Sequence, residues 1–174
     1  MKWFCQKIGF VVLMSVIVFG LAPKMAQAEK IAYIDVAKVF DGYQKTRDND
    51  SKLQGAGKKK EEERDGLVHE IRRLKDEQAL LGEETREKKQ EAIDTKVREL
   101  QEFDAGARRQ LGEQRNQTVR DIFKDIDDVV QRYGERKGFD FIFNDRVLLY
   151  RSPRFDVSRD ILEELNHNYQ KGKK

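Results

Sequence analysis

The sequence predicts an α+β protein in which a long antiparallel helical hairpin, a coiled-coil tentacle, projects from a small β body. Three observations predict it. No proline occurs in the 102 residues from Val36 to Lys137, a stretch dense in Glu, Lys, Arg, Gln and Leu. Proline removes an amide donor and clashes with the preceding turn, so a proline-free run of these residue types is what long helices need. Short apolar, aromatic-rich segments flank the run on both sides, each too short to form a domain alone. They must therefore meet, and the helical region must fold back to let them.

Residues 1–28 have a basic start (Lys2, Lys7), an apolar run from Ile8 to Ala22 and the small-x-small ending Ala26-Gln27-Ala28. This is the layout of a secretory signal peptide, with cleavage expected after Ala28. An apolar run of 15 residues is short against the roughly 20 that a membrane-spanning helix needs. Membrane contact is expected to be peripheral at most. Cys5, the single cysteine, leaves with the peptide. It precedes the apolar run, which excludes a lipoprotein signal.

The whole chain carries +3, and its first 28 residues hold three lysines and no acid, so the remainder is formally neutral. A cysteine-free exported chain has no disulfide framework and draws its stability from packing or assembly. Most of its length lies in a thin hairpin, and the 44 residues left for a compact body make a marginal core. Self-association is expected.

Element by element, Ile31-Ala32-Tyr33-Ile34 in segment 29–35 is β-prone, and Asp35 is placed to cap a helix beginning at Val36. Within the hairpin, residues 36–137, Leu67, Ile71, Leu74, Gln78 and Leu81 step by four and three, a heptad seam with one polar place. The tip falls near residues 82–85, at Gly82 and Thr85. Ile93, Val97, Leu100, Ala107 and Leu111 continue the pattern, followed by Ile122, Ile126, Val129 and Tyr133. The two arms, 46 and 53 residues long, nearly match. From Lys45 to Lys137 there are 23 basic and 23 acidic residues, and Lys58-Lys59-Lys60 is followed at once by Glu61-Glu62-Glu63. These faces read as solvated helix surface.

Glycines interrupt the arms at 42, 55, 57, 66, 82, 106, 112 and 134, each costing about 1 kcal/mol relative to alanine in a helix interior. If facing positions sum to about 167, Gly55 faces Gly112, and Gly57 lies near the position opposite Gly106. Gly55, Gly57, Gly106 and Gly112 would then form a pliable zone at which the outer arm swings. A packing need for small residues would place glycines there equally well.

In segment 138–174, Phe139, Phe141 and Phe143 alternate as a strand requires, Asn144-Asp145-Arg146 reads as a turn, and Val147-Leu148-Leu149-Tyr150 as the returning strand of a β-hairpin. The phenylalanines are expected to pack on the first strand across the base of the helical hairpin. Ile31, Tyr33, Ile34, Phe139, Phe141, Phe143, Leu148 and Tyr150 are the candidate oligomerisation residues. Pro153 ends the strand. Asp156 or Ser158 caps a last amphipathic helix with Ile161, Leu162 and Leu165 inward.

These segments resemble the Skp/OmpH family of periplasmic chaperones. The likeness rests on Ile31-Ala32-Tyr33-Ile34-Asp35 leading into Val39-Phe40-Asp41-Gly42-Tyr43, and on Lys137-Gly138-Phe139-Asp140, Val147-Leu148-Leu149-Tyr150, Asp156-Val157-Ser158 and Ile161-Leu162-Glu163-Glu164-Leu165-Asn166. The resemblance implies a homotrimer that pools its strands into one β body and projects three hairpins around a cavity. Unfolded outer-membrane proteins would be held there without ATP. Family members are often strongly basic, with cationic arms proposed to attract acidic clients or lipopolysaccharide. The neutral charge here departs from that pattern, and no lipopolysaccharide site is assigned to Lys58, Lys59 and Lys60. The sequence names no client-contact residue.

Catalysis needs convergent side chains, and past the signal the chain offers only His69 and His167, no thiol and no nucleophile-elbow pattern around Ser51, Ser152 or Ser158. Two distant histidines make no metal site, no glycine-rich phosphate loop is present, and no cofactor is expected. Nucleic-acid binding is disfavoured because the basicity leaves with the signal. The competing reading is an exported coiled-coil protein that scaffolds the cell envelope. A scaffold predicts rigid, uninterrupted heptads, whereas a holding chaperone predicts pliable arms.

Overall fold

The computed structural model describes residues 28–173. The expected signal segment, including Ala26, lies outside the described residues, and Ala28 is the first of them. Chain order is β1 (Ile31–Ile34), α1 (Val36–Gly42), α2 (Gln44–Ala79), α3 (Glu83–Lys137), β2 (Phe141–Asn144) and α4 (Ser158–Gly172). Single 3-10 turns lie at Asp145–Val147 and Pro153–Phe155.

Helices α2 and α3 form the hairpin. At about 1.5 Å per residue, 36 and 55 residues reach roughly 54 and 82 Å. The turn is tight: Leu80 and Leu81 donate their amides to Glu77 and Gln78 carbonyls, and Gly82 is the N-cap of α3. Acids at Glu83 and Glu84 and bases at Arg136 and Lys137 complement the α3 dipole. Gly138 closes α3 in the left-handed conformation (φ 66°), with Phe139 N–H donating to Gly134 O at 2.9 Å. A residue with a Cβ resists that φ, so this glycine is demanded by the stop.

Inter-arm ion pairs report the register. Arg64–Asp104 at 3.1 Å, Glu70–Lys96 at 3.2 Å and Glu77–Lys89 at 2.5 Å have residue numbers that sum to within one of 167, the pairing read from the sequence. The seam is buried unevenly. In α2 only Thr46 and Ile71 are buried; in α3, Ile93 and then the group Ile122, Ile126, Val129, Tyr133 and Gly134. Between these points Leu67, Val97, Leu100 and Leu111 are half-exposed.

The core sits at the arm base. Val39, Ile161, Leu165, Ile122, Ile126, Val129 and Tyr133 join Ala32 and Ile34 in one cluster. Burying each such side chain stabilises by about 1.5–3 kcal/mol. Asp35 caps α1 as expected, Oδ1 accepting from Lys38 N–H at 2.9 Å, while its own N–H donates to Ser158 Oγ at 2.8 Å. Asp156 Oδ1 accepts from both the amide and the hydroxyl of Ser158. Between the two expected caps, Asp156 therefore accepts at the start of α4, and Ser158, itself buried, ties that helix to α1.

Three features differ from expectation. The sheet has two strands, and they are parallel: Ile31 pairs with Phe141, Ala32 with Ile142, Tyr33 with Phe143 and Ile34 with Asn144. Going out along α2 and back along α3 returns the chain to the same end of the sheet, so β2 runs the way β1 did. The expected third strand, Val147–Tyr150, does not form. The other edge of β1 is occupied at Tyr33, which bridges Asp156 and accepts from Val157 N–H at 3.0 Å. A strand needs a partner, and this segment has none among the described residues; Leu149 and Tyr150 lie exposed. Finally, the first arm is not one helix. Gly42 ends α1, and Tyr43 (φ −69°, ψ 126°) is extended before α2 begins.

Candidate functional site

The sheet has two unlike faces. Ala32, Ile34 and Ile142 turn toward the helices and join or pack on the core. Ile31, Tyr33, Phe141 and Phe143 share the other face by register. The expected packing across the hairpin base is thus reversed for two of the three phenylalanines: Phe141 and Phe143 stack on each other, centroids 5.8 Å apart, and remain 49% and 39% exposed. Period-two alternation names residues that share a face, and it was Ile142 that took the core side. Phe139 lies before β2 and stacks on Tyr133 at 6.0 Å, with the Lys30 ammonium 4.5 Å above its ring.

Tyr33 is buried on this outer face because the segment after β2 folds over it. Together with Leu148, Tyr150 and Phe155 it lines a cavity of about 470 Å³, and the Arg151 guanidinium lies 5.4 Å from its ring. Of the eight candidate body residues, Ile34 joins the core and Phe139 packs against it, Tyr33 and Leu148 line this cavity, Ile31, Phe143 and Tyr150 line it while remaining exposed, and Phe141 is presented outward.

At the arm base, α4 grips the α1–α2 break. Gln44 N–H donates to Asn166 Oδ1 at 2.8 Å, and Asp48 accepts from Gln44 Nε2 at 2.8 Å, from Tyr169 hydroxyl at 3.0 Å and from Lys173 Nζ. The Lys173 bond first, then those of Gln44 and Tyr169, holds the Asp48 carboxyl down to about 2. Tyr43 donates its hydroxyl to Asp125 at 3.0 Å, beside the Lys45–Asp125 ion pair at 2.7 Å. Burial, followed by the Asp125 charge, pushes that phenol well above its ordinary value.

Along the arms, Gly55, Gly57, Gly106 and Gly112 have nothing within 4 Å of where a Cβ would sit. No partner helix demands small residues at these four positions. Gly42 differs, since its Cβ would lie 2.6 Å from Leu162 Cδ2. His69 is exposed, its Nδ1 3.0 Å from Asp65 O, and His167 is exposed too. Among the described residues no group of His, Cys, Asp and Glu could hold a metal, and no helix is long and apolar enough to cross a membrane.

Sequence reading missed one surface feature. Phe40 and Phe123 stack across α1 and α3 at 5.4 Å, and Phe123 is 47% exposed. The available signal was Phe123 itself, an aromatic standing just outside the Ile122–Ile126 seam.

An arm of two long helices with little interior, mounted on a body whose sheet leaves one aromatic face open, defines a tentacled hairpin class of protein. Residues 30–165 match the family described as outer membrane protein (OmpH-like), and the chain belongs to that family. It is 25% identical over 167 residues to the chaperone protein Skp of Vibrio cholerae, covering 91% of this chain and 94% of that one. Its fold is similar to a crystal structure described as an OmpH-like outer membrane chaperone from Caulobacter crescentus, with a TM-score of 0.69 and 10% identity over 80% of this chain and 85% of the other.

Proposed function

We propose that this protein is an ATP-independent holding chaperone of the periplasm. Exported by a signal peptide cleaved after Ala28, it keeps unfolded outer-membrane proteins from aggregating. It works as a homotrimer whose arms surround the client, with neither cofactor nor nucleic acid taking part. The observation that carries this reading is the architecture of the arm: two long helices with few buried residues between Thr46 and Ile71 or between Ile93 and Ile122. What such an arm offers is a long surface of weak contacts, which several arms together convert into avidity without a single strong site.

The exposed Ile31, Phe141, Phe143, Leu149 and Tyr150 support self-association. An apolar sheet face next to an unpartnered, strand-prone segment is a template for another copy. The test is to dilute a urea-unfolded outer-membrane β-barrel protein into buffer with residues 29–174 present, and to measure light scattering and the native mass of the complex. Suppressed scattering without ATP, in a complex of three subunits with one client, is expected. An unaffected client would favour the envelope scaffold instead.

A further inference from the structure

The bond expected to be cut on export, between Ala28 and Glu29, is separated by Glu29 alone from the first anchored residue of the body, Lys30. Ala28 and Glu29 are exposed, whereas the backbone of Lys30 is held on both sides. Its N–H donates to Asp140 Oδ2 at 2.7 Å, and its carbonyl accepts from the Asp140 N–H at 2.9 Å. Its ammonium donates to the carbonyl of Lys137, the last residue of α3, at 2.5 Å, and stands 4.5 Å from the centre of the Phe139 ring.

Lys30 also begins a zipper. Directly after it, Ile31 to Ile34 run in register with Phe141 to Asn144, and Ala32, Tyr33 and Ile34 are at most 5% exposed. Phe139, beneath the ammonium, packs against the core. Chain starts are poorly ordered unless tied down. This one is tied by two bonds to Asp140, by the end of α3 and by a buried strand in succession.

That anchorage limits what can reach the scissile bond. Two extended residues span at most about 7 Å, so a protease acting after Ala28 must bring its active site within that distance of the folded strand. A protease holds its substrate as a bare, extended segment, and the N–H and C=O of Lys30 are already bonded to Asp140. The hydrogen-bond partners of Lys30 lie 107 and 110 positions further along the chain. Until they arrive the bond is open, and once they close it is shielded.

We propose that closure of the Lys30–Asp140 clasp ends the period in which the signal peptide can be removed: cleavage after Ala28 precedes folding of the body, and a precursor that folds first resists it. The proposal rests on the reading of residues 1–28 as a cleaved signal peptide and adds the order of the two events and the residues that set it.

The test uses the full chain, residues 1–174, in detergent micelles with a bacterial signal peptidase. One sample is freshly diluted from urea and a second is refolded beforehand, at the same final urea concentration. A synthetic peptide of residues 20–36 in each tube reports that the enzyme is equally active, and mass spectrometry reports the new end at Glu29. The initial rate for the refolded precursor is expected to be lower by about tenfold or more, because cleavage then draws on a small open population. Asp140→Ala, which removes the acceptor for the Lys30 amide, is expected to restore the rate several-fold. Asn166→Ala, which loosens the arm base and leaves the clasp intact, is expected to leave it unchanged. Equal rates for the two samples overturn the proposal. So does equal acceleration by Asp140→Ala and Asn166→Ala, since opening would then be global. Failure to cut the freshly diluted chain after Ala28 removes the signal-peptide reading and the proposal with it.

Discussion

The side-chain oxygen of Asn166, on the last helix, accepts a hydrogen bond from the backbone amide of Gln44, the first residue of the long arm helix, at 2.8 Å. Helix α2 begins after a break at Tyr43, which supplies no side-chain cap. One of its free first-turn amides is thus satisfied by a residue 122 positions away. Losing a cap acceptor costs about 1 kcal/mol. Asn166→Ala is expected to lower stability by about that amount in urea unfolding at fixed chain concentration, and Asn166→Asp, which keeps an acceptor, to restore most of it.

Gly42 has room for a side chain only if Leu162 shifts. A Cβ there would sit 2.6 Å from Leu162 Cδ2, and overpacking of this kind costs about 1–3 kcal/mol. Leu162 is the tip of a partly flexible side chain, so shortening it should relieve the clash. Gly42→Ala is expected to lower the urea midpoint, and Leu162→Ala added to it to cost less than the sum of the two single changes.

Replacing Gly55, Gly57, Gly106 and Gly112 by alanine should act in the opposite direction. All four sites are open, and alanine is favoured over glycine in a helix by about 1 kcal/mol per site. We propose that these glycines make the mid-arm pliable. The quadruple variant is expected to raise thermal stability and narrow the spin-label distance distribution between arm tips and body. An unchanged distribution would remove the hinge.

Ile122 is 1% exposed at the centre of the base cluster. Truncation to alanine is expected to cost about 2–5 kcal/mol. Ile93, buried in the outer arm where Ile71 is the other buried residue, should cost less, because half-exposed neighbours can settle into the space. Hydrogen exchange would show the first loss spread across the body and the second confined to the arm.

Acid should release the C-terminal grip on the arm. Asp48 is held down to about 2 in the folded chain, against an ordinary 3.8, chiefly by Lys173 and then by Gln44 and Tyr169. A depressed carboxyl contributes stability that is fully present above its ordinary value and is lost as pH falls from about 4 toward 2. Amide signals of residues 166–173 are expected to broaden or shift in that window, and Asp48→Asn to remove the pH dependence there.

Much of the hairpin was legible because it rests on local rules. Proline absence, seam spacing and near-equal arm lengths do not depend on what the arms pack against, and the ion pairs Arg64–Asp104 and Glu77–Lys89 sit at the register that spacing implied. Asp35 was legible for the same reason, since a cap needs only the next three residues. The exposed Phe40–Phe123 stack was not legible, because it is built from α1 and α3 at once and no single window of sequence contains it.

Alternation along Phe141 to Phe143 determined which residues share a face, but only the packed helices decided that Ile142 would turn inward and Phe141 and Phe143 outward. Apolar character made Val147–Tyr150 strand-prone; whether it became a strand depended on an open edge, and Tyr33 had given its free side to Asp156 and Val157. The break at Tyr43 likewise followed from Leu162 and Asn166 closing on the chain from a distant helix. By itself the sequence determined the periodic, short-range elements, since their hydrogen bonds close within a few residues. Tertiary structure decided strand partners, face direction and the helix break, because each depends on groups more than 100 positions away competing for the same surface.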